Sequence, residues 1–368
     1  MRRAELAMAR ILVAMSGGVD SSVAALLLRD EGHEVEGAYM RNWMAESAPL
    51  GPCPWEEDVE DARAVASVLG IPFRVVNMMA DYRERIVDYM LRGYAEGITP
   101  NPDVYCNREI KFGVFLELAK AEGFDGVGTG HYARVVRSSG RAPVLFEGAD
   151  AGKDQSYFLS MMKPGQIASA WMPVGGLQKS EVRARASAAG LPTAAKKDSQ
   201  GICFIGKVRM ADFLREYLPD APGTVVSLDG RVLGEHRGLH YFTLGQRKGI
   251  GVASNTPNEA YVVVEKRAAT RELVVGFDQP LTPGLYTQSW EVGSLSTTEE
   301  GTHLEGRLEI RPRYRAPRVD AEVVAIDAGR VRVEFADPQR AVAPGQICAF
   351  YNGPRLLGGG VFLRAMGR

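Results

Sequence analysis

Two periodicities alternate along the first two hundred or so residues. Short apolar runs, RILVAM (10–15), EVEGAYM (34–40), FRVVNM (73–78) and GVGTG (126–130), are separated by stretches at 20–31, 56–69, 81–95 and near 108–122, where apolar residues recur at helical spacing. Runs of that length bounded by polar turns predict strands, and the intervening recurrence predicts helices. Strand–helix–strand alternation implies an α/β unit with a mainly parallel, doubly wound sheet covered by helices on both faces. Further along the pattern changes. GTVVSLDGRVLGEH (223–236), AYVVVEKRAATRELVVGF (260–277), VDAEVVAIDAGRVRVEF (319–335) and GQICAFYNGPRLLGGGVFL (345–363) are β-branched runs cut by D-G, A-G and N-G turns. They predict hairpins in two smaller β-rich domains, the last a β-barrel. The expected division is 1–206, 207–280 and 281–368, with boundaries near 206 and within DQPLTPG (278–284).

Composition narrows the class. The chain has 368 residues, 45% of them hydrophobic and 24% charged, enough for several cores. No apolar run is long enough to span a membrane and the first residues lack a cleavage-site pattern, so a cytoplasmic protein is expected. A formal net charge of −1 gives no global attraction for nucleic acid, and any such binding must come from local clusters of Lys and Arg. The four cysteines, 53, 106, 203 and 348, form no C-x-x-C pair, which argues against a disulfide scaffold and structural zinc.

The first apolar run breaks into SGGVDSS (16–22) before VAALLL resumes. At the carboxyl end of a parallel strand such a turn presents backbone amides and the next helix N-terminus to a ligand. Gly17 and Gly18 let the backbone wrap closely, while Ser16, Ser21 and Ser22 add hydroxyls, a pattern suited to phosphate. The lysine-bearing mononucleotide loop is absent. The alternative is a plain turn in which Asp20 or Ser21 caps the helix. GVGTGH (126–131) ends another strand with spaced glycines and suits close backbone approach to the same ligand.

Two cysteines sit in unusual surroundings. TPNPDVYCNREIKF (99–112) is a loop stiffened by Pro100 and Pro102 that empties into a helix expected to open near Asn107. This puts Cys106 beside a helix N-terminus that favours thiolate. Asp103 is a candidate acid or base there, or an Asx-turn or cap. Cys203 lies in KKDSQGICFIG (196–206), near Lys196 and Lys197; as an isolated cysteine between apolar neighbours it reads first as a small buried hydrophobe.

Together MSGGVDSSVAA, TPNPDVYCNREIKF, GTGHYAR, GKDQSYFL, DSQGICFIG, HYFTLGQRKGIG and RPRYR resemble, in order, the bacterial tRNA-specific 2-thiouridylase family, an adenylating pyrophosphate-loop family. The resemblance implies an adenine nucleotide alpha hydrolase-like catalytic domain and thiolation of the wobble uridine in the glutamate, glutamine and lysine tRNAs. It implies that Ala14, Met15, Ser16, Gly17, Gly18, Val19, Asp20 and Ser21 hold ATP, with Met40 and Gly130 beside the adenosine, and that Mg2+ accompanies the phosphates on unassigned ligands. Cys203 would carry a persulfide and Cys106 act as second nucleophile, ending in a Cys106–Cys203 disulfide, with Asp103 handling the proton. Asn101, Pro102 and Asp103 would meet the target base. His131, Lys153, Asp154, Gln155, Arg313, Tyr314 and Gln346 would touch tRNA, and a cysteine desulfurase or relay protein would supply sulfur. Independently, five arginines between Arg307 and Arg318, with Tyr314 among them, suggest a basic patch for RNA. Two rivals use the same loop: an ATP-dependent amide ligase or amidotransferase, which needs no cysteine pair, and a tRNA-binding module that does not turn ATP over.

Overall fold

The computed structural model describes residues 8–43, 55–197, 210–254, 259–280 and 282–367. Cys53, Cys203 with its glycines, and boundary residues 206 and 281 lie outside the described residues. No helix among the described residues is long and apolar enough to cross a membrane.

The expected parallel sheet is present. Its strands are β1 (Arg10–Ala14), β2 (Glu34–Arg41), β3 (Phe73–Asn77), β4 (Gly126–Gly128) and, after a hairpin of β5 (Ala133–Ser138) and β6 (Arg141–Glu147), β7 (Ala170–Trp171). The order is β3-β2-β1-β4-β7, every pair parallel, so the direction of winding reverses between β1 and β4. β1 is central and apolar on both faces. Ile11 and Val13 pack with Val19, Val23 and Leu26 of α1 (Val19–Asp30) and with Val59 and Val65 of α2 (Trp55–Leu69). Leu12 and Ala14 face the other core, built from helical segments 79–95 and 102–121 and containing Tyr82, Cys106, Ile110 and Phe115. The β5–β6 hairpin was not legible in the helix–strand alternation.

The central unit is a four-stranded sheet of β8 (Gly223–Ser227), β9 (Val232–His236), β10 (Tyr261–Arg267) and β11 (Glu272–Phe277), in the order β10-β11-β8-β9. In the last unit β12 (Tyr286–Thr297), β13 (Gly306–Arg311), β14 (Val319–Asp327), β15 (Arg330–Arg340), β16 (Ile347–Asn352) and β17 (Arg355–Met366) run in the order β12-β15-β14-β13-β16-β17. β12 also pairs with β17, which closes a six-stranded barrel around Trp290, Phe335, Phe350 and Phe362. Closure removes sheet edges. The β5–β6 hairpin attaches to the outside of β17 through Phe146 opposite Arg355, so the first unit contributes to the barrel's sheet.

Candidate active site

Met15 to Gly18 turn the chain from β1 into α1. Met15 N–H donates to Ala38 O of β2 at 2.8 Å, seating the turn on the sheet. Gly17 takes φ +72°, and a Cβ there would lie 2.4 Å from the Asp58 carbonyl oxygen, so only glycine fits. Gly18 is the N-cap of α1, at φ −99°, and no side chain caps the helix. The alternative of a plain turn capped by Asp20 or Ser21 is therefore not what forms. Ser21 Oγ accepts from Ser16 N–H at 3.1 Å and donates to Gly18 O at 3.1 Å, and Ser22 Oγ donates to Gly18 O at 2.9 Å. The hydroxyls brace the loop, and the positive end of α1 is left without a side-chain acceptor, the arrangement that receives an anion.

Asp20 is held from two distant parts of the chain. Lys179, the first residue of α3 (Lys179–Ala188), donates to both carboxylate oxygens at 2.7 and 2.8 Å, and Tyr132 Oη–H donates to Oδ1 at 2.7 Å. Lys179 neutralises a carboxylate that would otherwise repel phosphate at this helix end. Gly130 packs against the same turn; a Cβ there would lie 2.6 Å from Asp20 C and Ser21 N. Gly130 thus serves the approach of the β4 loop to α1. Met40, on β2, is buried in the core beside Ala38. Behind the loop, Lys196 bridges Asp58 at 2.7 Å and Asp61, and Thr193 Oγ1 donates to Ser22 Oγ at 3.0 Å, so the chain leading towards Cys203 is anchored to α1 and α2. Tyr132 lies in a motif singled out from sequence without being assigned a role. Lys179 and Thr193 carried no sequence signal at all.

The Cys106 turn differs from expectation. The helix opens at Pro102, with Asn101 as N-cap accepting from Val104 N–H at 3.3 Å, rather than near Asn107. Asn101, not Asp103, is the cap. Cys106 therefore sits a turn inside the helix and is buried in the core, away from the strongest part of the helix dipole. From Cys106 to Val114 the turns widen to π geometry. The Gln166 amide donates to Arg108 O at 2.8 Å and Phe112 O at 2.7 Å, satisfying carbonyls of the widened ladder. Asn107 ties the turn to the following chain, donating to Asp103 O at 3.1 Å and Phe158 O at 3.2 Å, and accepts from Lys111 Nζ at 3.0 Å.

The residues expected to touch tRNA divide by exposure. Asp154 is buried and fully engaged: Oδ1 accepts from Gly148 N–H at 2.9 Å and Ser156 N–H at 3.1 Å, and Oδ2 from Ser156 Oγ at 3.0 Å and Arg311 Nη1 at 2.7 Å. It links catalytic unit to barrel, because a carboxylate committed to an interior arginine is not a surface contact. His131 is also interior, with Nδ1 2.8 Å from Thr129 Oγ1; burial first, and nearby Lys111 second, hold its pKa well below the usual histidine value. Gln155 Oε1 accepts from Tyr132 N–H, and Gln346 Nε2 donates to Thr99 O at 2.8 Å, so this barrel residue steadies the Asn101–Pro102–Asp103 turn. Lys153 is half-buried. Of the five arginines, Arg311 pairs with Glu147 and Asp154, each at 2.7 Å, and Arg318 with Glu309 at 3.1 Å. The basic patch is accordingly smaller than the sequence suggests. Arg313 and Arg315 remain exposed, flanking Tyr314, whose ring packs 4.3 Å from that of Phe158.

A parallel sheet whose first strand–helix turn is a serine–glycine cradle at an uncapped helix end, followed by β units bolted to it, defines a pyrophosphate-loop type of nucleotide-binding protein. Family models match in the same order: the tRNA methyl transferase HUP domain over residues 9–207, the tRNA methyl transferase PRC-barrel domain over 211–277 and the aminomethyltransferase beta-barrel domain over 287–362. The chain is 56% identical to a tRNA-specific 2-thiouridylase of Akkermansia muciniphila, over 96% of this chain and 99% of the relative. It is 44% identical to one from Streptococcus agalactiae, over 97% and 95%. The chain belongs to the tRNA-specific 2-thiouridylase family. A solved 4-thiouridine synthetase–RNA complex with bound ATP is 18% identical, covering 56% of this chain and 50% of that one, at a TM-score of 0.34.

Proposed function

We propose that the chain is an ATP-dependent tRNA-uridine 2-sulfurtransferase that converts the wobble uridine of the glutamate, glutamine and lysine tRNAs to 2-thiouridine, releasing AMP and pyrophosphate. The observation that carries the ATP half is the uncapped start of α1 ringed by Ser16, Gly17, Gly18 and Ser21. Sequence identity of 56% and 44%, over 96% and 97% of this chain, to relatives named tRNA-specific 2-thiouridylase supports the sulfur half over an amide ligase or a non-catalytic binding module. ATP, when bound, supplies an adenylyl group that turns the uridine 2-oxygen into a good leaving group. The loop's amides and hydroxyls hold the phosphates, and Lys179 keeps Asp20 from repelling them. Mg2+ enters as companion of the phosphates, with no ligand set of this chain assigned.

Sulfur chemistry falls to Cys203 and Cys106. The terminal sulfur of a Cys203 persulfide, loaded by a cysteine desulfurase or relay protein, displaces AMP at C2. It attacks directly, with the Cys106 thiolate then cleaving the S–S bond at the Cys203 sulfur, or it is first released by that same Cys106 attack as hydrosulfide. Either route leaves sulfur on the base and a Cys106–Cys203 disulfide for a reductant to reopen. Asp103, in the first turn of the helix capped by Asn101, handles the uridine proton. Asn101, Pro102 and Asp103 meet the base, and Arg313 and Tyr314 hold RNA. The division 1–206, 207–280 and 281–368 assigns these tasks to catalytic, central and tRNA-binding domains. The test is mass spectrometry of tRNA incubated with ATP, Mg2+, free cysteine, a cysteine desulfurase and a thiol reductant. Oxygen replaced by sulfur in the wobble base is expected, lost in Cys106→Ser and in Cys203→Ser. No sulfur in the base, together with ATP turnover unchanged in Cys106→Ser and in Cys203→Ser, would return the amide-ligase reading.

A further inference from the structure

In the stretch AYMRNW (38–43), which carries Met40, the asparagine is the more unusual residue. Asn42 follows the last residue of β2 and is 2% exposed, and neither its Nδ2 nor its Oδ1 has a hydrogen-bond partner among the described residues. A buried amide left unpaired at both ends loses its hydration with nothing in return, so an apolar residue would suit the folded chain better. The segment is well held. Met78 N–H donates to Arg41 O at 2.9 Å, and Trp43 packs on Phe213 and Tyr217.

Its place in the sheet says what the amide meets. Ala38, which pairs with Ala14 and accepts from the first amide of the phosphate turn, shares a core with Met40 on β2, and Asn42 follows directly past that strand's carboxyl end. Four residues of extended chain separate Asn42 from Ala38 by up to about 13 Å, a span that a nucleotide with its phosphates in the loop can bridge with its base. Carboxyl ends of parallel strands are where such sheets take ligands. An asparagine amide offers a donor and an acceptor side by side, the complement of the 6-amino group and adjacent ring nitrogen of adenine. The Asp103–Cys106 turn, where the target uracil must go, is braced instead by Gln346 and Phe158.

We propose that Asn42 reads the adenine base of ATP through a paired hydrogen bond to its amino edge. The proposal rests on ATP being the activating substrate. Titration calorimetry of the full chain with ATP and with purine riboside triphosphate, which lacks the 6-amino group, tests it. Wild type is expected to prefer ATP by about tenfold or more; Asn42→Leu should bind ATP about tenfold more weakly and show almost no preference between the two. Without nucleotide, Asn42→Leu should melt no lower than wild type, since it removes an unpaired polar group. The proposal falls if Asn42→Leu keeps wild-type affinity and preference, if it melts several degrees lower without ligand, or if only its affinity for tRNA drops. Wild-type protein that binds no ATP is a distinct result, and removes the activating-substrate reading itself.

Discussion

The carboxylate of Asp20 illustrates what single residues contribute. It stands in the first turn of α1, where a negative charge favours the helix but opposes an incoming phosphate chain. Lys179 resolves the conflict with a bidentate contact, and its side chain is only 13% exposed, so the pairing is shielded from water. Lys179→Met is therefore expected to weaken ATP binding by about tenfold or more, the cost of a phosphate meeting an uncompensated carboxylate. Lys179→Arg should lose less, and Asp20→Asn combined with Lys179→Met should recover part of the loss, all read by calorimetric titration. Equal binding by wild type and Lys179→Met would make the pair purely structural. Ser16, Asp20 and Ser21 announced themselves in sequence because they lie together in one turn. Lys179 did not, because a lysine opening a polar helix 159 positions away from Asp20 reads as a solvated face until the fold brings them together.

At the scale of elements, the β1–α1 turn separates two glycines that look alike in sequence. Gly17 is required by backbone geometry, with φ +72° and the Asp58 carbonyl against its Cα. Gly18 has an ordinary φ, and a Cβ there would meet nothing closer than Ser16 Oγ at 3.5 Å. Gly17→Ala should destabilise the protein by about 1–3 kcal/mol and abolish nucleotide binding. Gly18→Ala should cost about 1 kcal/mol or less in stability while still weakening ATP binding, because its methyl faces the phosphate space. Thermal melts beside ATP titrations separate the two; similar melting losses in both would refute the distinction. The helix carrying Cys106 shows the same limit of local reading. Its start was present in the sequence as Asn101 followed by Pro102, an N-cap and an N1 proline. The widened turns were not, because they coincide with bonds to Gln166, a residue of another element.

For the molecule as a whole, the question is whether the barrel is a tethered module or part of the catalytic body. Its periodicity was legible as a terminal β-barrel, and six strands close one there. What the sequence concealed is how its arginines are spent, since the partners of Arg311 lie in the β6–β7 region rather than nearby. Arg311 reaches Glu147 and Asp154 across the interface, Ser156 Oγ lies 3.0 Å from Tyr351 Oη, Tyr157 Oη–H donates to Ile347 O at 3.0 Å, and Gln346 holds Thr99 beside the Asp103–Cys106 turn. These contacts are buried or half-buried, and interdomain surfaces of this kind couple unfolding of the parts they join. Arg311→Met leaves Asp154 and Glu147 close together without their shared cation, with only Arg318, 3.7 Å from Glu147, to compensate. It is expected to cost about 3 kcal/mol and to split a single calorimetric transition of the catalytic unit and barrel into two. Because the barrel's grip on Thr99 loosens at the same time, thiolation should slow more than ATP binding weakens. A wild-type barrel that already melts on its own would overturn the picture, for then the proposed RNA contacts at Arg313 and Tyr314 would have no fixed distance to the proposed nucleophile Cys106.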